Sequence, residues 1–382
     1  SAVPEAVRGA ALGSDGMASK REGGASASEA EGAPAEKSRR AAEATEEAVK
    51  EDQYAFEKDT LEDMGLIGSG RFAQVCLVRC KMTGLVYALK VLSKSAVLQQ
   101  GAVENVAAEK MILEKTSSRF LVRLHGTFSS PRSFEFLLEV ALGGDLLTTY
   151  ERHEDFFGSA RHARFYTACV LLGLEHLHEH SIIYRDLKME NVMVHTTGYA
   201  KLTDFGLSKF VIGHTYTKCG THDYMAPEII TGDGYTVAVD WWALGVLVYA
   251  LMEGCLPFDS SSPSIICWKI KCGIEHVTFS AASSSWGDLV RGLCKQDPQE
   301  RLPILAGGLQ RLKEHACFQE EGDFDWSNLN LGQAPAPHVP ELSGPLDKQH
   351  FDDACLASAL GGDAEVDPCE TGKFDLLLGR AE

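Results

Sequence analysis

The chain has 382 residues, 45% of them hydrophobic and 24% charged, and a formal net charge of −18. That length accommodates two core-bearing lobes plus tails, and the composition is that of an ordinary soluble globular protein. An acidic chain with no basic stripe argues against nucleic acid or an anionic membrane as partner, and its longest apolar run, Trp241 to Met252, is too short for a membrane span.

The opening is polar and Ala/Gly-rich, without the apolar core of a signal peptide, and it begins at Ser1, as a fragment or processed form would. Eleven cysteines are scattered without a CxxC pair, which predicts a reducing, cytoplasmic setting. Cys76, Cys169 and Cys255 sit inside apolar runs and are expected to be buried. The negative charge is concentrated at the end, where residues 322–382 carry 12 acidic and 3 basic side chains.

Residues 1–53 read as an Ala/Gly/Glu-rich extension too poor in apolar residues to offset the entropy of ordering, with a helix plausible from about Ala35 to Lys58. Ordered sequence begins near Tyr54. The glycine pattern Gly68-Ser69-Gly70 precedes Ala73 and Val75, and flanking strands are expected at 75–78 and 86–91. The second strand carries Ala88-Leu89-Lys90, and a lysine in an apolar strand needs an anionic partner. Residues 103–115 follow as a helix with Val103, Val106, Met111 and Leu113 on its apolar side, offering Glu104, Glu109 and Glu114. Strands are expected at 121–128 and 134–140, then a turn at Gly143-Gly144-Asp145 and a helix over 160–180.

Residues 181–194 read as strand, loop, strand, a hairpin whose loop gathers Asp186, Lys188 and Asn191. Such a set can hold a hydroxyl, a phosphate and a metal ion together. Asp204-Phe205-Gly206 adds a second carboxylate, and a long Gly- and Pro-punctuated loop runs on to Ala226-Pro227-Glu228. Residues 239–249 are apolar on nearly all faces and predict a buried helix; Arg301, in a later helical region, is a structural partner for Glu228.

Taken in order, the Gly-rich turn, Lys90, Asp186-x-Lys188-x-x-Asn191 and Asp204-Phe205-Gly206 match the general phosphoryl-transfer template, and the chain resembles a eukaryotic protein kinase. From about residue 54 to 353 it resembles the AGC group of serine/threonine kinases, near the cyclic-AMP- and cyclic-GMP-dependent ones. Tyr184-Arg-Asp-Leu-Lys, Cys219-Gly-Thr, Tyr224-Met-Ala-Pro-Glu and Asp240-Trp-Trp-Ala-Leu-Gly carry that likeness, with Phe324-Asp-Trp326 and His350-Phe351-Asp352-Asp353 in the tail. The ending Lys373-Phe-Asp-Leu-Leu-Leu is closer in outline to the cyclic-GMP-dependent type, although no cyclic-nucleotide-binding module is present in this sequence.

The resemblance implies an α+β, bilobal eukaryotic protein kinase fold: a small β-rich N-lobe (about 61–138), a larger helical C-lobe (about 142–318) and an AGC-type tail over 319–382, the catalytic domain as a whole spanning 54–318. It implies ATP and Mg²⁺ as cofactors. The nucleotide would meet Ile67, Gly68, Ser69, Gly70, Val75, Ala88, Lys90, Leu138, Glu139, Ala141, Met193 and Phe351, and Asn191 with Asp204 would hold the metal. Asp186 would orient the substrate hydroxyl, Lys188 would support the phosphoryl group, and Lys90 would pair with Glu109. Thr217 falls at the activation-loop phosphosite, where a phosphate would meet Arg185 and Lys209. Asp145 and Glu190 fall where upstream arginines of a peptide substrate bind, and Lys218, Thr221 and His222 fall near the residue after the phosphorylated one, so an acidic residue there is expected to be tolerated. Partners are then basic protein substrates, with room for a separate regulatory subunit or an upstream activating kinase.

Three departures stand out. Ala73 replaces a third glycine, Met189 a usual proline, and Ala250 a carboxylate that the cyclic-AMP-dependent type carries. None is a reacting group. Arg39-Arg40-Ala41-Ala42-Glu43 has the outline of an autoinhibitory pseudosubstrate. A nucleotide-binding pseudokinase or scaffold, and a small-molecule phosphotransferase, are the rival readings; five intact catalytic positions argue against the first, and the long loop around Thr217 against the second.

Overall fold

A computed structural model describes residues 56–70, 73–280, 285–320, 322 and 324–351. The N-terminal extension, the Arg39–Glu43 motif and the Lys373–Leu378 ending lie outside these residues.

The first lobe is a five-stranded antiparallel sheet of order β1-β2-β3-β5-β4, made of β1 (Leu61–Ser69), β2 (Ala73–Cys80), β3 (Val86–Ser93), β4 (Leu124–Ser129) and β5 (Ser133–Glu139). The β-branched and aromatic residues of β2, β3 and β5 suit a sheet packed on both faces. Leu77, Leu92, Phe134 and Phe136 enter the main core, while Val78, Tyr87, Leu89 and Leu137 form a second cluster on the other face. Burying each such side chain contributes roughly 1.5–3 kcal/mol. The register places Lys90 of β3 opposite Val75 on one side and Phe136 on the other, so its side chain is fixed by three strands.

The helix Val103–Lys115 packs against this sheet and buries Val106, Glu109, Ile112 and Leu113. Met111, expected on the apolar side, is 44% exposed, and Ile112 takes the core position instead. A buried Glu109 explains the swap: the helix is rotated to aim that carboxylate inward.

The second lobe is helical and centres on Ala160–Glu179 and Ala238–Glu253, each with twelve or more buried residues. Helix Ser285–Leu293 packs on the latter, and Gly245 fits against Cys294, whose Sγ a Cβ there would meet at 2.5 Å. Arg301, expected within a helix, instead follows the short 3₁₀ turn Pro298–Glu300 in extended backbone. Of the three cysteines expected inside, Cys169 is buried, Cys76 half-buried and Cys255 exposed.

The segment 181–194 contains β6 (Ile182–Ile183) and β7 (Val192–Val194), but they do not pair with each other as a hairpin. β6 pairs with β9 (Lys209–Phe210), and β7 with β8 (Ala200–Leu202). The loop between β6 and β7 is therefore held from both ends by different neighbours. Among the described residues no helix is long and apolar enough to cross a membrane.

Candidate active site

The two lobes face each other across a cleft of about 740 Å³. Its upper wall is the glycine turn and sheet: Ile67, Gly68, Ser69, Gly70, Val75, Ala88 and Lys90. The connecting strand brings Leu138, Glu139 and Ala141 to its back, and Met193 of β7 with Phe351 of the tail completes its apolar lining. Asp145, Asp186, Glu190, Asn191, Asp204 and Glu109 also line it. All twelve residues expected around a nucleotide thus line one cavity.

Phe351 reaches the cleft because the tail passes tightly over the lobe junction. A Cβ on Gly144, whose φ is +77°, would lie 2.4 Å from the His350 carbonyl oxygen, so only glycine permits this approach. Lys348 Nζ also donates to the Met64 carbonyl at 2.9 Å, tying the tail to β1.

Lys90 Nζ lies 2.7 Å from Glu109 Oε1 and 3.0 Å from Asp204 Oδ1, joining the sheet, the Val103–Lys115 helix and the lower wall. Burial would push the Lys90 ammonium down, but the carboxylates of Asp204 and Glu109 outweigh it and raise its pKa. Burial raises the Glu109 carboxyl, with Lys90 opposing, while the Lys90 charge holds Asp204 below the usual carboxylate range. Lys90 is therefore charged at neutral pH, and Asp204 is the anionic partner that opens to the cleft, its side chain 52% exposed.

The loop carrying Asp186 is anchored from beneath by Asp240, a buried carboxylate at the start of the Ala238–Glu253 helix. Asp240 accepts hydrogen bonds from Tyr184 N at 2.9 Å and Arg185 N at 2.8 Å, and its Oδ2 lies 2.8 Å from His178 Nε2. Arg185 and Asp204 both hold left-handed backbone, with φ of 69° and 55°. Such conformations cost of order 1–3 kcal/mol each and persist only where surroundings impose them. Sequence reasoning left Asp240 out of the site. The signal was there, since a carboxylate in an otherwise apolar helix needs partners.

Asp186 is oriented at both oxygens. Oδ1 accepts from Thr221 Oγ1 at 3.0 Å and Oδ2 from Asn191 Nδ2 at 2.8 Å, and Lys188 Nζ stands 3.7 Å from Oδ2. Thr221 is placed by Gly220, whose φ is +109° and whose Cβ, if present, would meet the Arg185 carbonyl at 2.8 Å. The Asn191 amide NH₂ is committed to Asp186, so its oxygen is the atom left to offer a cation. With the Asp204 carboxylate this makes two hard oxygen donors beside an open cleft, a set that suits a hard divalent cation whose other ligands are oxygens.

The remaining expected residues lie around this centre. Both Asp145 oxygens accept from Thr148, from its N and its Oγ1, each at 2.8 Å, so this carboxylate also caps the helix Leu146–Arg152. Lys218 Nζ donates to the Ile230 carbonyl at 3.1 Å. Thr217 is exposed, and its carbonyl accepts from Tyr235 Oη at 2.6 Å; the same hydroxyl accepts from Arg185 at 3.2 Å. Lys209 Nζ reaches Thr215 Oγ1 at 3.4 Å.

A family model described as "Protein kinase domain" matches residues 61–316. Rat (Rattus norvegicus) cGMP-dependent protein kinase 2 is 38% identical over 295 residues, covering 76% of this chain and 38% of that protein. The Drosophila melanogaster cGMP-dependent protein kinase, isozyme 1, is 37% identical over 297 residues, covering 76% and 38%. Danio rerio serine/threonine-protein kinase N2 is 35% identical over 321 residues, covering 81% and 32%. The chain spans well under half the length of these relatives. Its sheet, its cleft and the matched span agree: the chain belongs to the protein kinase family and is similar to the cGMP-dependent protein kinases.

Proposed function

We propose that this chain is a serine/threonine protein kinase that transfers the γ-phosphoryl group of ATP, with Mg²⁺, to hydroxyls of protein substrates carrying upstream arginines. The observation that carries the reading is Lys90 held between Glu109 and Asp204 at 2.7 and 3.0 Å, with Asp186 and Asn191 lining the same cleft. Lys90 is positioned for the α- and β-phosphates, and the glycine turn offers backbone amides above them. Asp186, fixed by Thr221 and Asn191, orients the substrate hydroxyl and takes its proton. Lys188 supports the moving phosphoryl group from beside Asp186. Asn191 and Asp204 would hold the metal, which when bound neutralises developing charge on the phosphates.

Glu190 lies exposed at the cleft and supports arginine binding upstream of the target hydroxyl. Asp145 contributes through a carboxylate already turned toward Thr148. Phosphate on the exposed Thr217 would lie near Arg185, which donates to the Tyr235 hydroxyl that bonds the Thr217 carbonyl, and near Lys209, which reaches Thr215, and would order the loop by charge-assisted hydrogen bonds. An upstream kinase or a regulatory subunit would act there, in the cytosol.

The test is phosphate transfer from Mg·ATP to an Arg-Arg-x-Ser peptide, beside Asp186→Asn. The substitution keeps the acceptor for Thr221 but removes the base, so the rate should fall about 10²- to 10⁴-fold. A full-rate Asp186→Asn enzyme overturns the role given to Asp186. No transfer by the unsubstituted chain with Thr217 phosphorylated favours a nucleotide-binding scaffold.

A further inference from the structure

Behind the cleft, on the side away from Lys90, a second charged group is buried that the phosphotransfer reading does not use. Lys201 of β8 is only 7% exposed, and its Nζ lies 3.0 Å from Glu139 Oε1 at the end of β5. Glu139 is the last residue of the sheet before the lobes connect, and it lines the cleft. Its other oxygen accepts from Arg123 N at 3.2 Å, and its own N donates to the Arg123 carbonyl at 2.8 Å. One carboxylate therefore joins three segments: the linker from the Val103–Lys115 helix into β4, the end of β5, and β8.

The position of β8 gives this junction a consequence for the site. Leu202, next to Lys201, exchanges backbone hydrogen bonds with the same linker, donating to Phe120 O at 2.8 Å and accepting from Val122 N at 3.0 Å. Lys201 pairs across β7 with Met193, which lines the cleft, and Thr203 and Asp204 follow it directly. The strand that leads into Asp204 is thus fastened to the connection between the lobes. Replacing a buried ion pair by apolar groups is often neutral for stability, so stability alone does not account for this one.

We propose that Lys201 is a positioning residue for the nucleotide, its ion pair with Glu139 holding the inter-lobe connection and the Asp204 strand in one register across the cleft. The inference rests on the reading of this cleft as the ATP site. His195 stands 3.6 Å from the same Glu139 oxygen, but burial lowers its pKa, so it is neutral at pH 7 and Lys201 is the cation of the junction.

Binding of ADP with Mg²⁺, measured by calorimetry, and steady-state transfer to the Arg-Arg-x-Ser peptide test this together. Lys201→Met keeps the buried aliphatic stem and removes the charge. It should weaken ADP binding and raise KM for ATP, each roughly three- to tenfold, while the rate at saturating ATP holds or rises because no group that touches substrate is lost. Lys201→Arg should restore most of the affinity. Glu139→Gln, which still accepts from Arg123 N, should weaken ADP binding by a similar factor, and the double variant Glu139→Gln/Lys201→Met by little more than either alone. Unchanged ADP affinity in Lys201→Met, additive losses in the double variant, or a fall in kcat at constant KM would each overturn the proposal. If the unsubstituted chain binds no ADP, the phosphotransfer reading fails and this inference with it.

Discussion

Two ion pairs flank the catalytic loop, and they differ in how completely they are enclosed. Arg301 is 0% exposed and uses four of its five N–H donors: NH1 donates to Glu228 and the Ala238 carbonyl at 2.6 and 2.7 Å, NH2 to Glu228 at 2.7 Å, and Nε to the Lys295 carbonyl at 3.1 Å. Its guanidinium also lies over Trp242 at 5.3 Å. Lys90 is held as closely by Glu109, but its second partner, Asp204, opens into the cleft with its side chain 52% exposed. A closed pair has no capacity left for a ligand. An open one presents a fixed charge to whatever enters. The first therefore belongs to folding, where it pins the end of the long loop at Ala226-Pro227-Glu228 onto the second lobe, and the second is the pair that the proposed phosphotransfer would use.

The largest effect expected from this contrast is on stability. Arg301→Met should cost about 3–5 kcal/mol, because Glu228 would be left as an uncompensated charge only 6% exposed. Urea unfolding followed by tryptophan fluorescence reads this directly. A loss below about 1 kcal/mol would mean that water or relaxation rescues Glu228, and the closed pair would no longer differ from an ordinary surface bridge.

Lys90→Met should invert the pattern. Peptide phosphorylation should fall by about 100-fold or more, since a fixed charge on the phosphates is removed from a water-poor site. Stability should change by no more than about 1 kcal/mol, for two reasons: Asp204 already meets solvent, and the raised carboxyl of Glu109 accepts a proton more readily once its cation is gone. If unfolding showed a loss as large as that of Arg301→Met, openness to the cleft would not be the property that separates the pairs.

The open pair was legible in the sequence and the closed pair only in part. Asp186 and Asn191 share one loop, Asp204 follows soon after, and Lys90 stands in a strand behind a glycine turn, so their order along the chain matches the phosphoryl-transfer template. Glu109 came from the likeness to the kinase pattern, whereas helical phase placed Met111 on the buried side, because periodicity alone does not say which way a helix turns to deliver one charged residue. Arg301 was matched to Glu228 but placed in a helix; the polar Gln299-Glu300-Arg301 run fits a helix as well as a 3₁₀ turn. The pairings of β6 with β9 and β7 with β8 involve strands of two and three residues, too short for any alternation to show. The Glu139–Lys201 contact links residues 62 positions apart, and although Glu139 was expected at the nucleotide, nothing in the local sequence pairs it with Lys201.

The smallest effect expected concerns a third case, a titratable group packed into the fold with no ion-pair partner among the described residues. His162 stacks on Phe156 with ring centroids 3.9 Å apart, and its Nδ1 lies 2.8 Å from Ser159 Oγ. His153 stacks on Phe156 at 4.8 Å, and His338 from the tail meets that ring at 5.3 Å. Burial, then the charges of Arg161 and His338, push the His162 pKa from its ordinary 6.5 down to about 4, with Asp155 opposing. Between those two values the unfolded chain holds a proton that the folded chain rejects, so stability present above pH 6.5 is lost as the pH falls toward 4. Half-exposure screens the effect, and the share of His162 should be about 1 kcal/mol by pH 5. His162→Phe keeps the stacked ring and removes the titration. Urea unfolding at pH 7.5 and pH 5 should therefore show a smaller acid loss in the variant, by about that amount, with the Arg301 and Glu228 pair, common to both proteins, cancelling from the comparison. An identical pH slope in the variant would place the acid sensitivity elsewhere, and would leave enclosure with a counter-charge and enclosure without one indistinguishable in this fold.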